Sequence, residues 1–266
     1  METKEVLAKW DDLFAKGRIA EALSFVEGEI AEANAAGAWE RELTLLNEVM
    51  GYNRSISNFD KAWEYAERAA AIMTDKGLAD KPEAVTTFLN IANIYRAQGD
   101  FAEAMEMYKY VECIYLENNL QNDYRMGGLY NNLAVISIEL DALEDAVAYG
   151  ERAVQVLAGV PGSEDEQATV YCNLAGAFLK KKQQQKALEL LEKAEKMMLE
   201  NCSESPHYCA ILGMKAYVVY MSGDLPKALA CYERAMAKTL EKYGANKDYE
   251  RMQHNCEEIK RKLAAK

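Results

Sequence analysis

The sequence predicts an all-α fold: six helical hairpins in series, closed by a final helix. Three observations predict it. In the best-formed stretch, 88–111, the apolar residues Phe88, Ile91, Ala92 and Tyr95 recur at the spacing of one helix face. An alanine recurs at Ala22, Ala62, Ala104, Ala146, Ala187 and Ala228, at intervals of 40 to 42 residues, and a fixed period of that size marks a repeated supersecondary unit. A turn precedes each alanine: Gly17-Arg18, Ser57-Asn58, Gly99-Asp100, Asp141-Ala142, Lys182-Gln183 and Gly223-Asp224.

The elements follow in order. The first hairpin, 4–37, opens on METKEVLAKWDDLF, a charged amphipathic helix without the apolar run of a signal peptide. The second spans 43–77. The third, 83–119, starts behind Pro82, placed in a first turn where its missing N–H costs little. Its own turn is Gly99-Asp100, where Gly tolerates positive φ and Asp100, with Glu103 three residues on, is expected to cap the next helix. The fourth hairpin spans 126–160. Pro161-Gly162-Ser163 then breaks the chain, and Ser163 with Glu166 reads as a capping box for the fifth, 165–201. Ser205-Pro206 opens the sixth, 206–245. A polar helix over 246–265 is the expected lid on the stack, and the expected organisation is one domain, 1–266.

Between turn and marker alanine stands a packing residue in five hairpins: Ile19, Phe59, Phe101, Leu143 and Leu225, with Gln184 the exception. A second small residue recurs in the following helix as Ala69, Ala153, Ala194 and Ala235. Together with the Ile91-Ala92, Leu133-Ala134 and Leu174-Ala175 pairs, Tyr95 and Phe178, this pattern resembles the tetratricopeptide repeat family. The period, longer than the common 34 residues, is similar to that of kinesin light chains. The resemblance covers about residues 4 to 245. It implies a right-handed superhelix of hairpins, first helices lining a concave groove and second helices outside. Trp10 and Met50 depart from it by replacing a small residue, the fifth turn KKKQQQK lacks Gly, and Lys215 stands where an apolar residue is usual.

Composition bounds the function. Half the residues are hydrophobic, 28 % are charged and four are Pro, a mixture of ordered, helix-rich proteins. A net charge of −12 argues against nucleic acid and anionic membranes as partners. No run reaches the length of a membrane span. The six cysteines, with no C-x-x-C pair, read as buried reduced thiols, which points to the cytoplasm.

The face opposite each first helix's packing stripe is the candidate site. It carries Asn47, Glu48, Gly51 and Arg54 in the second hairpin, then Thr86, Asn90, Asn93 and Arg96 in the third. The fourth presents Asn131, Asn132, Val135 and Ile138, the fifth Thr169, Asn173, Gly176 and Leu179, the sixth Met214, Tyr217 and Tyr220. Asn90, Asn132 and Asn173 are equivalent by spacing. An amide donates and accepts, so a row of them suits a peptide backbone; the alternative is that they are solvated polar residues, or that each caps or bridges neighbouring helices. Arg54 and Arg96 suit an acidic group, while Tyr217 and Tyr220 suit an apolar anchor. The two-Lys, two-Asn carboxylate clamp of some chaperone-binding relatives is not evident.

Catalytic motifs are weak. Cys202, His207 and Cys209 have no familiar zinc spacing and read as a helix-start His with two buried thiols. Phosphate-cradle and nucleophile-elbow motifs do not occur. Glu164-Asp165-Glu166 reads as a solvated helix start, and Lys180-Lys181-Lys182 with Lys186 as a charged turn. The expectation is a non-enzymatic scaffold without cofactor or metal that holds a protein or peptide in the groove. The alternatives are a peptide-responsive regulator similar to bacterial tetratricopeptide sensors, or a module that self-associates weakly through an open end. Replacing Ala104 with Leu is expected to overpack the third hairpin and cost roughly 1–3 kcal/mol; an unchanged thermal midpoint would count against close helix contact there.

Overall fold

The computed structural model describes residues 1–265, which form thirteen α-helices and one short 3-10 turn. They pair as α1 (Thr3–Ala15) with α2 (Ile19–Ala35), α3 (Trp39–Ser55) with α4 (Phe59–Asp75), and α5 (Val85–Gln98) with α6 (Phe101–Glu117). Next come α7 (Arg125–Glu139) with α8 (Leu143–Leu157), α9 (Glu164–Lys180) with α10 (Gln184–Asn201), and α11 (Pro206–Met221) with α12 (Leu225–Tyr243), followed by α13 (Lys247–Ala264). The chain divides into two compact units, Met1–Gln121 holding α1–α6 and a second, from Asn122, holding α7–α13. Within the first, α2 packs on α3 and α4 on α5; within the second, α8 packs on α9, α10 on α11 and α12 on α13.

The marker alanines are the points of closest packing. All six are 0–1 % exposed, and Ala69, Ala153, Ala194 and Ala235 are fully buried. A methyl group there lets each pair of helices approach, and the larger side chains pack above and below. In α6 the buried stripe is Ala104, Tyr108, Val111, Ile114 and Tyr115. Cys113 falls off that stripe and is exposed, and Cys172, Cys202 and Cys231 are partly so; only Cys209 and Cys256 are buried, correcting the expectation of uniformly buried thiols. Trp10 and Met50, too large for the small-residue position, are buried all the same.

Each hairpin turns the same way, whatever its sequence. The first turn residue has positive φ in all six: Gly17 69°, Ser57 58°, Gly99 91°, Asp141 58°, Lys182 59° and Gly223 87°. In five of them the next N–H bonds the carbonyl five residues back, as in Asn58 to Asn53 at 2.8 Å and Gln183 to Phe178 at 2.9 Å. This is the Schellman closure, which satisfies carbonyls left over at a helix end.

Two caps differ from expectation. Asp100 makes no side-chain cap bond, and Ala142 and Gln183 serve at that position with no capping side chain, whereas Asp224 there accepts from Lys227 N at 3.1 Å. Ser163 does not form its capping box either. Its hydroxyl turns back to the carbonyls of Leu157 and Val160, at 2.8 and 2.7 Å, tying the loop to the end of α8. Ser205 does cap, accepting from His207 N at 3.1 Å. An L-residue in the left-handed region costs about 1–2 kcal/mol, partly offset by the greater unfolded-state freedom of Gly. Lys182→Gly should therefore stabilise the protein by about 0.5–1 kcal/mol, seen as a higher urea midpoint at an unchanged slope.

Candidate functional site on the first-helix faces

In the first unit α3 and α5 stand side by side and are joined through amides. Asn47 Nδ2 donates to Thr87 Oγ1 at 3.0 Å and to Leu43 O at 3.0 Å. Asn90 Nδ2 donates to Asn47 Oδ1 at 3.1 Å. Thr87 is fully buried, so its hydroxyl depends on that partner. Asn is mildly unfavourable inside a helix, and these bonds, worth about 1 kcal/mol each, offset the cost.

Further along the same face lie Arg54 on α3 and Arg96 on α5, both half-buried. The Nε of each is buried without an acceptor, and neither is in an ion pair among the described residues. Burial pushes the Arg54 guanidinium below its usual range, and the charge of Arg96 pushes it the same way. Tyr108 of α6, fully buried, donates its hydroxyl to Asn93 Oδ1 at 2.7 Å and is hydrogen-bonded by Arg96. Burial raises that phenol's pKa, against the opposing charges of Arg96 and Arg54. Asn93 thus spends its acceptor on α6 and keeps its donors.

A groove of about 500 Å³ opens beside the amides, lined by Trp10, Phe14, Tyr52, Asn47, Glu48, Thr86 and Asn90 among others. Its aromatic side is a cluster: the rings of Trp10 and Phe14 are 4.6 Å apart and those of Phe14 and Tyr52 5.1 Å, the latter edge to face. Burial, reinforced by Asp11, raises the pKa of the Glu48 carboxyl. The sequence reading missed this aromatic wall, although Trp10 and Phe14 stand one helical turn apart.

The second unit repeats the amide join. Asn173 Nδ2 of α9 donates to Asn131 Oδ1 of α7 at 2.8 Å. The two joins link residues 43 and 42 positions apart, so each Asn pairs not with its exact counterpart in the previous hairpin but with the residue before it. Asn132, the counterpart, is half-buried and outside the pair. Tyr217 is 42 % exposed. Tyr220 is engaged by α13: its hydroxyl donates to Glu258 Oε1 at 3.1 Å and accepts from Lys262 Nζ.

Charged stretches of the sequence serve as links between hairpins. Asp165 accepts from Ser205 Oγ at 2.8 Å and faces His207 Nδ1 at 3.1 Å, tying the start of α9 to that of α11. Lys180 donates to Ile138 O at 2.7 Å, and Lys186 sits 4.2 Å over the Phe178 ring. Among the described residues no group of His, Cys, Asp and Glu is arranged to hold a metal ion, and no helix is long and apolar enough to cross a membrane.

The tetratricopeptide repeat family profile matches residues 40–111 and 125–200. Similar solved structures include a putative kinesin light chain of Podosopora anserina with nearly identical repeats (21 % identity over 77 % of this chain and 97 % of that one, TM-score 0.63). BtubC from P. vanneervenii is similar at 19 % identity, covering 92 % of this chain and 94 % of its own, TM-score 0.67. The quorum sensor NprR of B. thuringiensis, in its apo form, is similar at 13 % identity over 98 % of this chain and 71 % of that one, TM-score 0.66. The comparison with curated proteins gives no match. Removing an amide from a join should be felt in stability: Asn90→Ala is expected to cost about 1–2 kcal/mol by stranding Asn47 Oδ1. Asn132→Ala, outside a join, should stay within about 0.5 kcal/mol, and equal urea midpoints for the two variants would contradict the bridging role.

Proposed function

The chain belongs to the tetratricopeptide repeat family, and from that premise we propose that it is a non-enzymatic scaffold holding an extended peptide or partner segment along its first-helix faces. The observation that carries this reading is the Arg54–Arg96 pair. In a chain with 43 acidic and 31 basic side chains, two guanidiniums are held side by side and half-buried without a carboxylate partner. Like charges in a partly desolvated site repel, and an unpaired buried charge costs free energy. A carboxylate from a ligand removes both penalties, and the planar guanidinium grips it through two parallel bonds.

The remaining site residues divide into two roles. Asn93 in the first unit and Asn132 in the second have donors to spare for a peptide backbone, and Tyr217 in the second offers an exposed ring. Asn90, Asn131, Asn173 and Tyr220 present the face by fixing one helix against the next. The aromatic wall of Trp10, Phe14 and Tyr52 gives an apolar ligand side chain a place beside the amides. The proposal places the scaffold in the cytoplasm, in keeping with six free cysteines.

The test is selection from a random decapeptide library, followed by titration of the best binder with wild type, Arg54→Gln and Arg96→Gln. Selected peptides should be enriched in Asp and Glu. Each Gln variant should bind about tenfold more weakly or worse, since a charge-assisted bond is worth about 1.5–3 kcal/mol. Affinity should also fall with added salt. A selection without acidic preference, or undiminished binding by the doubly substituted protein at unchanged circular dichroism, would sink the reading.

A further inference from the structure

We infer that α11, α12 and α13 line an open-sided binding site for a small uncharged aromatic group bearing a hydrogen-bonding atom, opened by Thr239 at a position that larger side chains fill in the four preceding hairpins. This goes beyond the peptide face: the site shares Met214 and Tyr217 with that face but turns on Thr239. Eleven residues after the six marker alanines the second helix carries Ala33, then the large Met73, Tyr115, Leu157 and Met198, and finally Thr239. All six are buried, at 0–4 % exposure. In the fourth hairpin Leu157 fills the junction so fully that a Cβ on Gly127 would lie 2.6 Å from it. Cys209 is the sixth hairpin's counterpart of Gly127, and there Thr239 stops short.

The space left is a cavity of about 660 Å³, within the range of small-molecule sites. Tyr217, Tyr232, Tyr243, Met214 and Met252 supply its apolar walls. Ring faces and thioethers of this kind favour an aromatic occupant. Thr239 also lines the cavity, and its Oγ is buried with no hydrogen-bond partner. A helical Thr commonly bonds the carbonyl one turn back; this one does not, and a buried hydroxyl left unpaired is costly. A turn of the side chain toward the cavity would give that hydroxyl a ligand donor or acceptor as the partner it lacks.

The lining carries no surplus charge. Arg251 is paired with Asp248 at 2.9 Å, and burial raises the Tyr232 phenol to about 12, so it stays neutral. An ionic ligand would therefore be desolvated without compensation.

The experiment uses the full chain and three probes followed by saturation-transfer NMR and titration: 2-naphthol, 2-naphthoate and N-acetyltryptophanamide. We expect saturable single-site binding of 2-naphthol, with 2-naphthoate about tenfold weaker or worse because its charge finds no partner. Thr239→Leu, which restores the side-chain size of the preceding hairpins, should weaken 2-naphthol at least tenfold while the thermal midpoint stays level or rises. Thr239→Val keeps the volume and removes the hydroxyl, and should weaken binding severalfold without closing the cavity. Tighter binding of N-acetyltryptophanamide than of 2-naphthol would assign the site to a partner's side chain, and the reverse to a free small molecule; either keeps the site. Absence of saturable binding by wild type, undiminished binding by Thr239→Leu, or a lowered midpoint in that variant would overturn the inference.

Discussion

The structure depends on one steric constraint: each hairpin buries an alanine, and no larger side chain, at the same position near the start of its second helix. Six alanines at 0–1 % exposure enforce it. In such close-packed surroundings an added methylene cannot be absorbed without moving a helix. Contacts between hairpins can be equally tight, since a Cβ on Gly150 of α8 would lie 2.5 Å from Leu174 Cδ2 of α9. Because neighbours meet at such distances, the size of one side chain decides whether a junction is filled or hollow.

Apolar stripes alone would let one hairpin slide on the next, and buried charges oppose this. Glu42, 3 % exposed, accepts from Asn34 Nδ2 at 3.1 Å and Arg68 Nε at 2.7 Å. Glu195, 6 % exposed, is held by Lys215 at 2.7 Å and by Arg234. A buried ion pair adds little net stability over apolar packing, but breaking one is expensive. Any slip that left Glu42 or Glu195 buried without its cation is therefore penalised. Lys215, a departure from the repeat pattern in the sequence, is accounted for by this carboxylate on the preceding second helix.

Features written in local sequence were legible. The marker alanines and the hairpin turns follow from spacing, because a helix stripe and a helix end are each specified within a few residues. Even the glycine-free turn at Lys182 adopts the left-handed conformation, since helix-end hydrogen bonding and packing on both sides over-determine it. Caps at Asp100 and Ser163 were not legible: each follows a left-handed glycine, as Asp224 does, and of the three only Asp224 turns its side chain onto the helix start. The amide joins escaped for another reason. Spacing aligned Asn90, Asn132 and Asn173, whereas the bonds run between residues 43 and 42 apart, and a one-residue offset between packed helices is a tertiary property. Arg54 and Arg96 were legible as residues; the absence of a carboxylate beside them became visible only in three dimensions.

That difference separates structural departures from functional ones. A residue that breaks the repeat pattern and is compensated nearby belongs to the fold: Lys215 has Glu195, and Asn47 has Thr87 and Asn90. A residue that breaks a physical rule without compensation leaves the folded chain with an unmet cost, and such costs concentrate at binding sites. Arg54 and Arg96 carry one, as neighbouring cations whose Nε atoms are buried without an acceptor and which have no carboxylate partner. Thr239 carries another, as a buried hydroxyl without a partner beside a cavity. The first deficit is electrostatic, of the kind an anion would answer, and the second is one of volume and hydrogen bonding, of the kind an uncharged ligand of the right size would answer. Their chemistries are so different that one small ligand group would not satisfy both, so the two proposals stand or fall separately.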